Sequence, residues 1–387
     1  MQPTPTHPAP LRRRIWVLAL ALLLAPAATA AAATAAATPA STPGSASHFD
    51  GLHVHQGDVD ARVFLLTQLR DELVRDDAGA MVHGAQVRMA RPMFVIGAFD
   101  DALQVVVHGD LAGKPRLLDA IVRIRGASGW QLTAGQFIAP YTRQFMTPAP
   151  KRQFIDFGQV HDRFNLNRRL GLMLDRHFGE RLQVQAGVFD SGAANGGVPV
   201  EAADHARTPL SVVRLTFTPL GPMAYDQVPG MTPDGGPRDD AFRLALGLGG
   251  AFRQLRSANQ TISETRGNLE FAAAGHGTSL TGEAFVEQQH APSGADRLAW
   301  GAYLQGGHFV LPARLELVAR TGLGANDLDA EDAGFYSYEA GANVYLHGHH
   351  VRVGLRYRHD HVGDDAAPQV GAAGDRDSAT VQLQGWM

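Results

Sequence analysis

Cysteine is absent from the 387-residue chain and lysine nearly so, Lys114 and Lys151 being the only two among 34 basic residues. The first absence excludes a disulfide scaffold, a Cys-ligated zinc or iron–sulfur site and thiol catalysis. Although 45% of the residues are hydrophobic, no apolar run reaches the roughly 20 residues a helix needs to cross a bilayer. A large excess of one charge is missing too, with 34 basic against 38 acidic residues. That balance excludes a polybasic nucleic-acid binder and argues against an acidic disordered chain. No Gly-x-Ser-x-Gly, no His-Glu-x-x-His and no phosphate-cradling glycine loop is present, so we expect neither an enzyme nor a bound cofactor.

What is present begins with an address. Arg12, Arg13 and Arg14 precede the apolar stretch Ile15 to Ala25, and Ala28-Thr29-Ala30 is a small-x-small cleavage signal. This reads as an export peptide over residues 1–30. Its removal takes three arginines and no acidic residue, leaving 31 basic against 38 acidic and a formal charge of −7. Residues 31–47 form an Ala/Thr/Pro/Ser tract read as a flexible leader, and the folded part is expected over 48–387.

Beyond the leader the dominant period is two. Leu182, Val184, Ala186 and Val188 alternate with Arg181, Gln183, Gln185 and Gly187, and Val351, Val353, Leu355 and Tyr357 alternate with Arg352, Gly354, Arg356 and Arg358. Such alternation marks strands with one apolar and one wet face. It predicts sixteen of them, over 59–69, 81–98, 102–111, 118–126, 130–137, 169–177, 181–190, 209–218, 240–255, 262–275, 278–289, 297–307, 312–323, 335–347, 349–359 and 377–387. Only Phe64 to Val74 is ambiguous with a helix. Short turns trade places with long connections at 138–168, 190–208, 324–334 and 360–376, with 219–239 as the exception at the short end.

A soluble sandwich or propeller would also alternate. Yet no linker breaks the series, no blade-length repeat is visible, and many strands carry Arg, Gln, Glu or Thr where a closed core would need apolar filling. A water-filled lumen accounts for that polar face. The expected fold is therefore all-β, a transmembrane antiparallel barrel of about 16 strands in the bacterial outer membrane, with a long constriction loop.

Particular residues carry a resemblance. Gly135-Gln136-Phe137 runs into Pro140-Tyr141-Thr142-Arg143-Gln144, and Phe164-Asn165-Leu166-Asn167-Arg168-Arg169 opens Leu170-Gly171-Leu172-Met173-Leu174. Together with Leu118-Asp119-Ala120, Gly187-Val188-Phe189 and the stretch from Leu311 to Arg320, this resembles the phosphate-selective porin O and P family from about Val82 to the carboxy terminus. The resemblance implies a sixteen-stranded, trimeric barrel passing small anions by diffusion through a narrow, arginine-lined pore. Arg169 stands where that family usually has an acidic residue, and two lysines cannot supply its lysine-lined phosphate path, so the resemblance supports a porin more firmly than phosphate.

For selectivity, the loop 138–168 and the following strand start hold Arg143, Lys151, Arg152, Arg163, Arg168 and Arg169 against Asp156 and Asp162. Folded into the barrel, this loop would set a positive ring at the narrowest section. On the wall, parity turns Arg88, Arg123, Arg214, Arg243, Arg320, Arg352, Arg356 and Arg358 inward; the plainer reading pairs each with Glu270, Glu283, Glu287, Glu316 or Glu339. Seventeen histidines suggest metal, but His349 and His359 lie ten residues apart on one strand, roughly 33 Å at the strand rise. No metal site is expected. The partners expected are small anionic solutes, phosphate or polyphosphate among the candidates, outer-membrane lipid and two further copies in a homotrimer, with no nucleic acid. A non-selective diffusion porin and a structural or adhesive barrel without transport are the alternatives.

Overall fold

The computed structural model describes residues 52–126, 129–191, 208–228, 231, 241–257, 260–292, 294 and 296–387. The export peptide and leader expected over 1–47 lie outside these residues. Strands β1 (Leu52–Gln56), β2 (Val59–Asp76), β3 (Met81–Ala98), β4 (Leu103–Asp110), β5 (Arg116–Arg125), β6 (Trp130–Ile138), β7 (Arg168–Phe178), β8 (Leu182–Phe189) and β9 (Leu210–Phe217) form the first half. The second half is β10 (Arg243–Ser257), β11 (Gln260–Gly275), β12 (Thr278–His290), β13 (Arg297–Leu311), β14 (Leu315–Ala325), β15 (Gly334–His347), β16 (Val351–Val362) and β17 (Gly374–Trp386).

From β2 to β17 each strand pairs antiparallel with its successor, and β17 returns to β2, with Trp386 opposite Leu66 and Arg376 opposite Asp76. The result is a closed barrel of sixteen strands, all of them strands expected from the alternation. Closure satisfies every barrel strand through its neighbours and leaves lipid no open edge. The additional strand, β1, pairs with the first five residues of β2, Leu52 opposite Val63 and Gln56 opposite Val59. It occupies the stretch of β2 edge beyond the carboxy terminus, where Leu65 and Met387 exchange backbone hydrogen bonds of 2.9 and 3.1 Å. The stretch Phe64 to Val74 lies in β2, with Phe64, Leu66, Gln68 and Arg70 buried and Leu65, Leu69 and Leu73 exposed.

The wall is inside-out relative to a soluble protein. In β9, Val213, Leu215 and Phe217 are exposed while Arg214 and Thr216 are buried; in β14, Leu317 and Leu323 are exposed while Glu316 and Arg320 are buried. Outward aromatic side chains gather near both ends, with Trp130, Phe178, Phe217 and Phe242 beside the short turns and Phe252, Tyr336 and Tyr338 towards the long connections. An apolar outer belt between aromatic girdles is how a barrel matches a bilayer. The connections 139–167, 190–209, 326–333 and 363–373 share one end.

Four bulges interrupt the pairing among the described residues, and two of them, in β3 and β5, bear on the site. Gln68 faces Met89 while Leu69 faces Val87, so Arg88 is an extra residue; His108 faces Asp119 while Gly109 faces Leu117, so Leu118 is another. A bulge swings the following side chains to the opposite face. Both lie beside the same part of the lumen.

The outward assignment is testable by charge insertion. Leu215→Arg, facing lipid, is expected to destabilise the barrel by roughly 2–4 kcal/mol if it lies near the midplane. Gln183→Arg, facing the lumen beside Asp175, should be nearly neutral. Urea unfolding in liposomes measures both, and equal losses would refute the assignment.

Candidate functional site

Residues 139–167 leave β6, cross the lumen and return to β7. This inner loop contains α1 (Arg143–Met146), a 3-10 turn (Ala149–Lys151) and α2 (Gln159–Phe164). Thr142 caps α1 by accepting from the Phe145 amide at 3.2 Å, and Asn167 adopts φ 57° where the chain enters β7.

The inner loop is fastened to the wall from β11 to β16 by hydrogen bonds that replace those water would make. The Arg143 and Gln144 amides donate to Glu270 at 3.0 Å and to Glu283 at 2.9 Å. Gln153 donates to Ser279 at 2.7 Å and Glu316 at 2.6 Å, while Arg358 and Arg320 donate to the carbonyls of Phe157 and Asp156. Phe164 stacks on Phe285 at 5.5 Å. Glycines in β13 make room for this contact: a Cβ on Gly301 would lie 2.7 Å from the Phe164 ring, and one on Gly307 only 2.0 Å from Gln153 Nε2.

On its other flank the loop presents Asp156 to three wall guanidiniums, Arg70 at 2.5 Å, Arg88 at 2.9 Å and Arg356 at 3.0 Å. Burial alone would raise this carboxyl, but Arg356, Arg70 and Arg88 override it and hold it well below the usual carboxylate range. His161, packed on Phe157 at 4.1 Å, is pushed well below its ordinary value by burial and by Arg152 and Arg320, so it stays neutral.

A second segment enters from the short-turn end. Residues 218–228 and Met231 belong to the connection after β9, and Val228 and Met231 are fully buried against Phe309, Ala313 and Tyr345. Tyr225 accepts from Arg214 at 2.6 Å, and Ala224 O accepts from Arg143 at 2.7 Å. Gln227 accepts from the Gln153 amide at 3.0 Å and from Gln305 at 2.9 Å. This is the exceptional connection at 219–239, and its described part is packed beneath the inner loop.

Between the inner loop and the wall of β3, β5 and β7 lies a cavity of about 150 Å³. Arg88, Arg91, Arg116, Arg152 and Arg168 line it together with Met89, Leu118, Phe145, Phe157 and Asn167, and no carboxylate is among the lining residues. Behind the lining, Asp110 binds Arg91 at 2.9 Å, Asp119 binds Arg168 at 2.8 Å, and Asp156 binds Arg88. Arg152 makes no ion pair among the described residues: its Nε donates to Thr147 O at 3.0 Å and its guanidinium lies 4.1 Å over the Phe157 ring.

Of the six loop cations proposed from sequence, the structure brings Arg152 and Arg168 together here and disperses the others. Arg143 and Lys151 turn towards the second segment, at Ala224 O and Asp226; Arg163 pairs with Glu287 at 2.8 Å; Arg169 donates to the carbonyls of Leu166 and Asp190. Each has a nearer acceptor than the cavity. Among the wall arginines, Arg88 reaches the cavity through its bulge. Arg214 pairs with Glu270, Arg320 with Glu339, Arg356 with Asp156 and Arg358 with Asp360, while Arg352 donates to Arg152 O, Arg123 donates to Gln104, and Arg243 stands opposite Ala274. Sequence parity missed Arg91 and Arg116. His359 and His361 pair with Asp377 and Asp375.

The profile of the family described as phosphate-selective porin O and P matches residues 98–384. No curated protein matches. Among solved structures, the chain is similar to an anion-selective porin from Comamonas acidovorans, with 13% identity, TM-score 0.63, and coverage of 85% of this chain and 100% of that one. It is also similar to the outer membrane channel DcaP of Acinetobacter baumannii, with 9% identity, TM-score 0.59 and coverage of 87% and 99%. A third similarity is to in-vitro folded OmpT of Vibrio cholerae in its trimer form, with 12% identity, TM-score 0.57 and coverage of 84% and 99%. At these identities the likeness is one of fold.

Removing the Asp156 charge tests how the loop is held. Asp156→Asn leaves Arg70, Arg88 and Arg356 facing one another, and breaking a buried pair from one side costs roughly 3–5 kcal/mol. Because the carboxyl is depressed, its contribution is complete above its unfolded value near pH ~4 and fades as pH falls through the lower folded value. The heat-modifiable gel shift of Asp156→Asn should therefore occur at lower temperature at pH 7, and a shift equal to the parent's would contradict the clasp.

Proposed function

Since the chain belongs to the phosphate-selective porin O and P family, whose profile spans most of it, we propose that it is an outer-membrane channel for small anions, with the arginine-lined cavity as its selective section. The observation that carries this reading is the lining itself, five guanidiniums and no carboxylate. Burial, together with Arg91, Arg168 and Arg88, drives the Arg152 pKa down. An anion in the cavity would relieve that repulsion. The guanidinium fork suits oxyanions such as phosphate as well as halides.

Net charge opposes this preference without deciding it. The formal −7 expected for the exported chain acts through the far field, which physiological salt screens within about 8 Å. Selectivity is set by fixed charges within a few ångströms of the ion. The inner loop and the segment beneath it both occupy the lumen, so the same geometry supports low conductance. Residues 1–30 would direct export, and the exposed apolar belt would meet lipid and two further copies. We read the chain as a channel and not an enzyme because its family is one of porins.

Two measurements test the reading. In a planar bilayer under a salt gradient, the reversal potential should favour chloride over potassium. Arg152→Gln with Arg168→Gln should reduce that preference while the channel stays open, whereas Arg169→Gln should change it little. A cation-selective parent channel would defeat the proposal. For assembly, the mass of the native detergent complex should equal three chains, and a monomer alone would remove the trimer without touching the channel.

A further inference from the structure

The inward glutamates of the wall cluster in one sector, where Arg214, Arg253, Arg266 and Arg320 pair with four of them. Glu264 and Glu270 on β11, Glu283 and Glu287 on β12, Glu316 on β14 and Glu339 on β15 are all nearly inaccessible, none more than 3% exposed. The cavity arginines of β3, β5 and β7 lie across the lumen from this sector. The segment formed by residues 218–228 and Met231 lies on the glutamate side. Tyr225 bonds the arginine that pairs with Glu270. Gln227 accepts from Ser279 through its carbonyl at 3.0 Å and from Gln305 through its side chain at 2.9 Å. Ser279 also meets Gln153, which bonds Glu316. Val228 and Met231 bury against Tyr345, whose hydroxyl donates to Glu316 at 2.8 Å.

From this placement we propose that the segment after β9 is a resident selectivity plug, held by Tyr225 and Gln227, that keeps the glutamate half of the lumen shut and confines ions to the arginine half. A lumen open on both sides would expose opposite charges to the ion, and carboxylates near its path would admit cations. The plug thereby gives the channel its sign as well as its narrowness. This deepens the anion-channel reading and rests on it for the sign of the parent channel, but the plug's effect on conductance stands independently.

The absence of cysteine from the chain supplies a clean reporter. In Ser279→Cys, the thiol lies beneath Gln227 and should be protected from a charged methanethiosulfonate reagent added to the folded protein. Adding Tyr225→Ala and Gln227→Ala should make it react, raise single-channel conductance by about twofold or more, and move the reversal potential towards zero. A heat-modifiable gel shift confirms that each variant retains the barrel. The proposal is overturned if the thiol reacts with the plug intact, if it stays protected in the triple variant, or if it becomes reactive while conductance and selectivity remain those of the parent. A cation-selective parent whose conductance still rises on unplugging would sink the anion reading and leave the plug in place.

Discussion

The narrow part of this barrel depends on a carboxylate held by three guanidiniums. The inner loop spans a hydrated lumen, where each polar group it buries must regain from the wall what it loses from water. Hydrogen bonds to Glu270, Glu283, Ser279 and Glu316 fasten one flank. On the other flank Asp156 draws in Arg70, Arg88 and Arg356, which would otherwise repel one another along the same stretch of wall. With that clasp closed, the phenylalanine-backed guanidiniums of Arg152 and Arg168 are left facing the cavity.

Local backbone irregularity positions the rest of the lining. The extra residue Arg88 lets Met89 and Arg91 face inward as well, and the extra residue Leu118 does the same for Arg116 relative to Asp119 and Arg123. A regular wall would have carried Arg91 or Arg88, but not both, on the inner face. The bulges thus concentrate positive charge without adding residues to the loop, while the carboxylates of Asp110 and Asp119 sit behind the arginines they steady.

The period of two carries the barrel because lipid and water act on alternate residues, and that contrast runs along most of the wall from β2 to β17. It carries less of the site. Parity measured from Arg88 assigns Arg91 to lipid, and parity measured from Arg123 does the same to Arg116; only pairing register reveals the bulges. Loop side chains have no parity at all, so Arg143, Lys151 and Arg163 could be counted with Arg152 from sequence although their acceptors lie elsewhere, and Arg169, the second residue of β7, could be counted with its neighbour Arg168 although it donates to the carbonyls of Leu166 and Asp190. The segment after β9 stood out by length and position, but its seat beneath the inner loop depends on Tyr225 and Gln227 meeting partners far along the chain.

The central claim is that an anion dwells against the cavity arginines. Diffraction from crystals soaked in bromide tests it directly through the anomalous signal of the ion. The account places bromide inside the barrel within contact distance of Arg152, Arg168 and Arg88. Bromide confined to outer surfaces, with rubidium occupying the same cavity in a parallel soak, would contradict it.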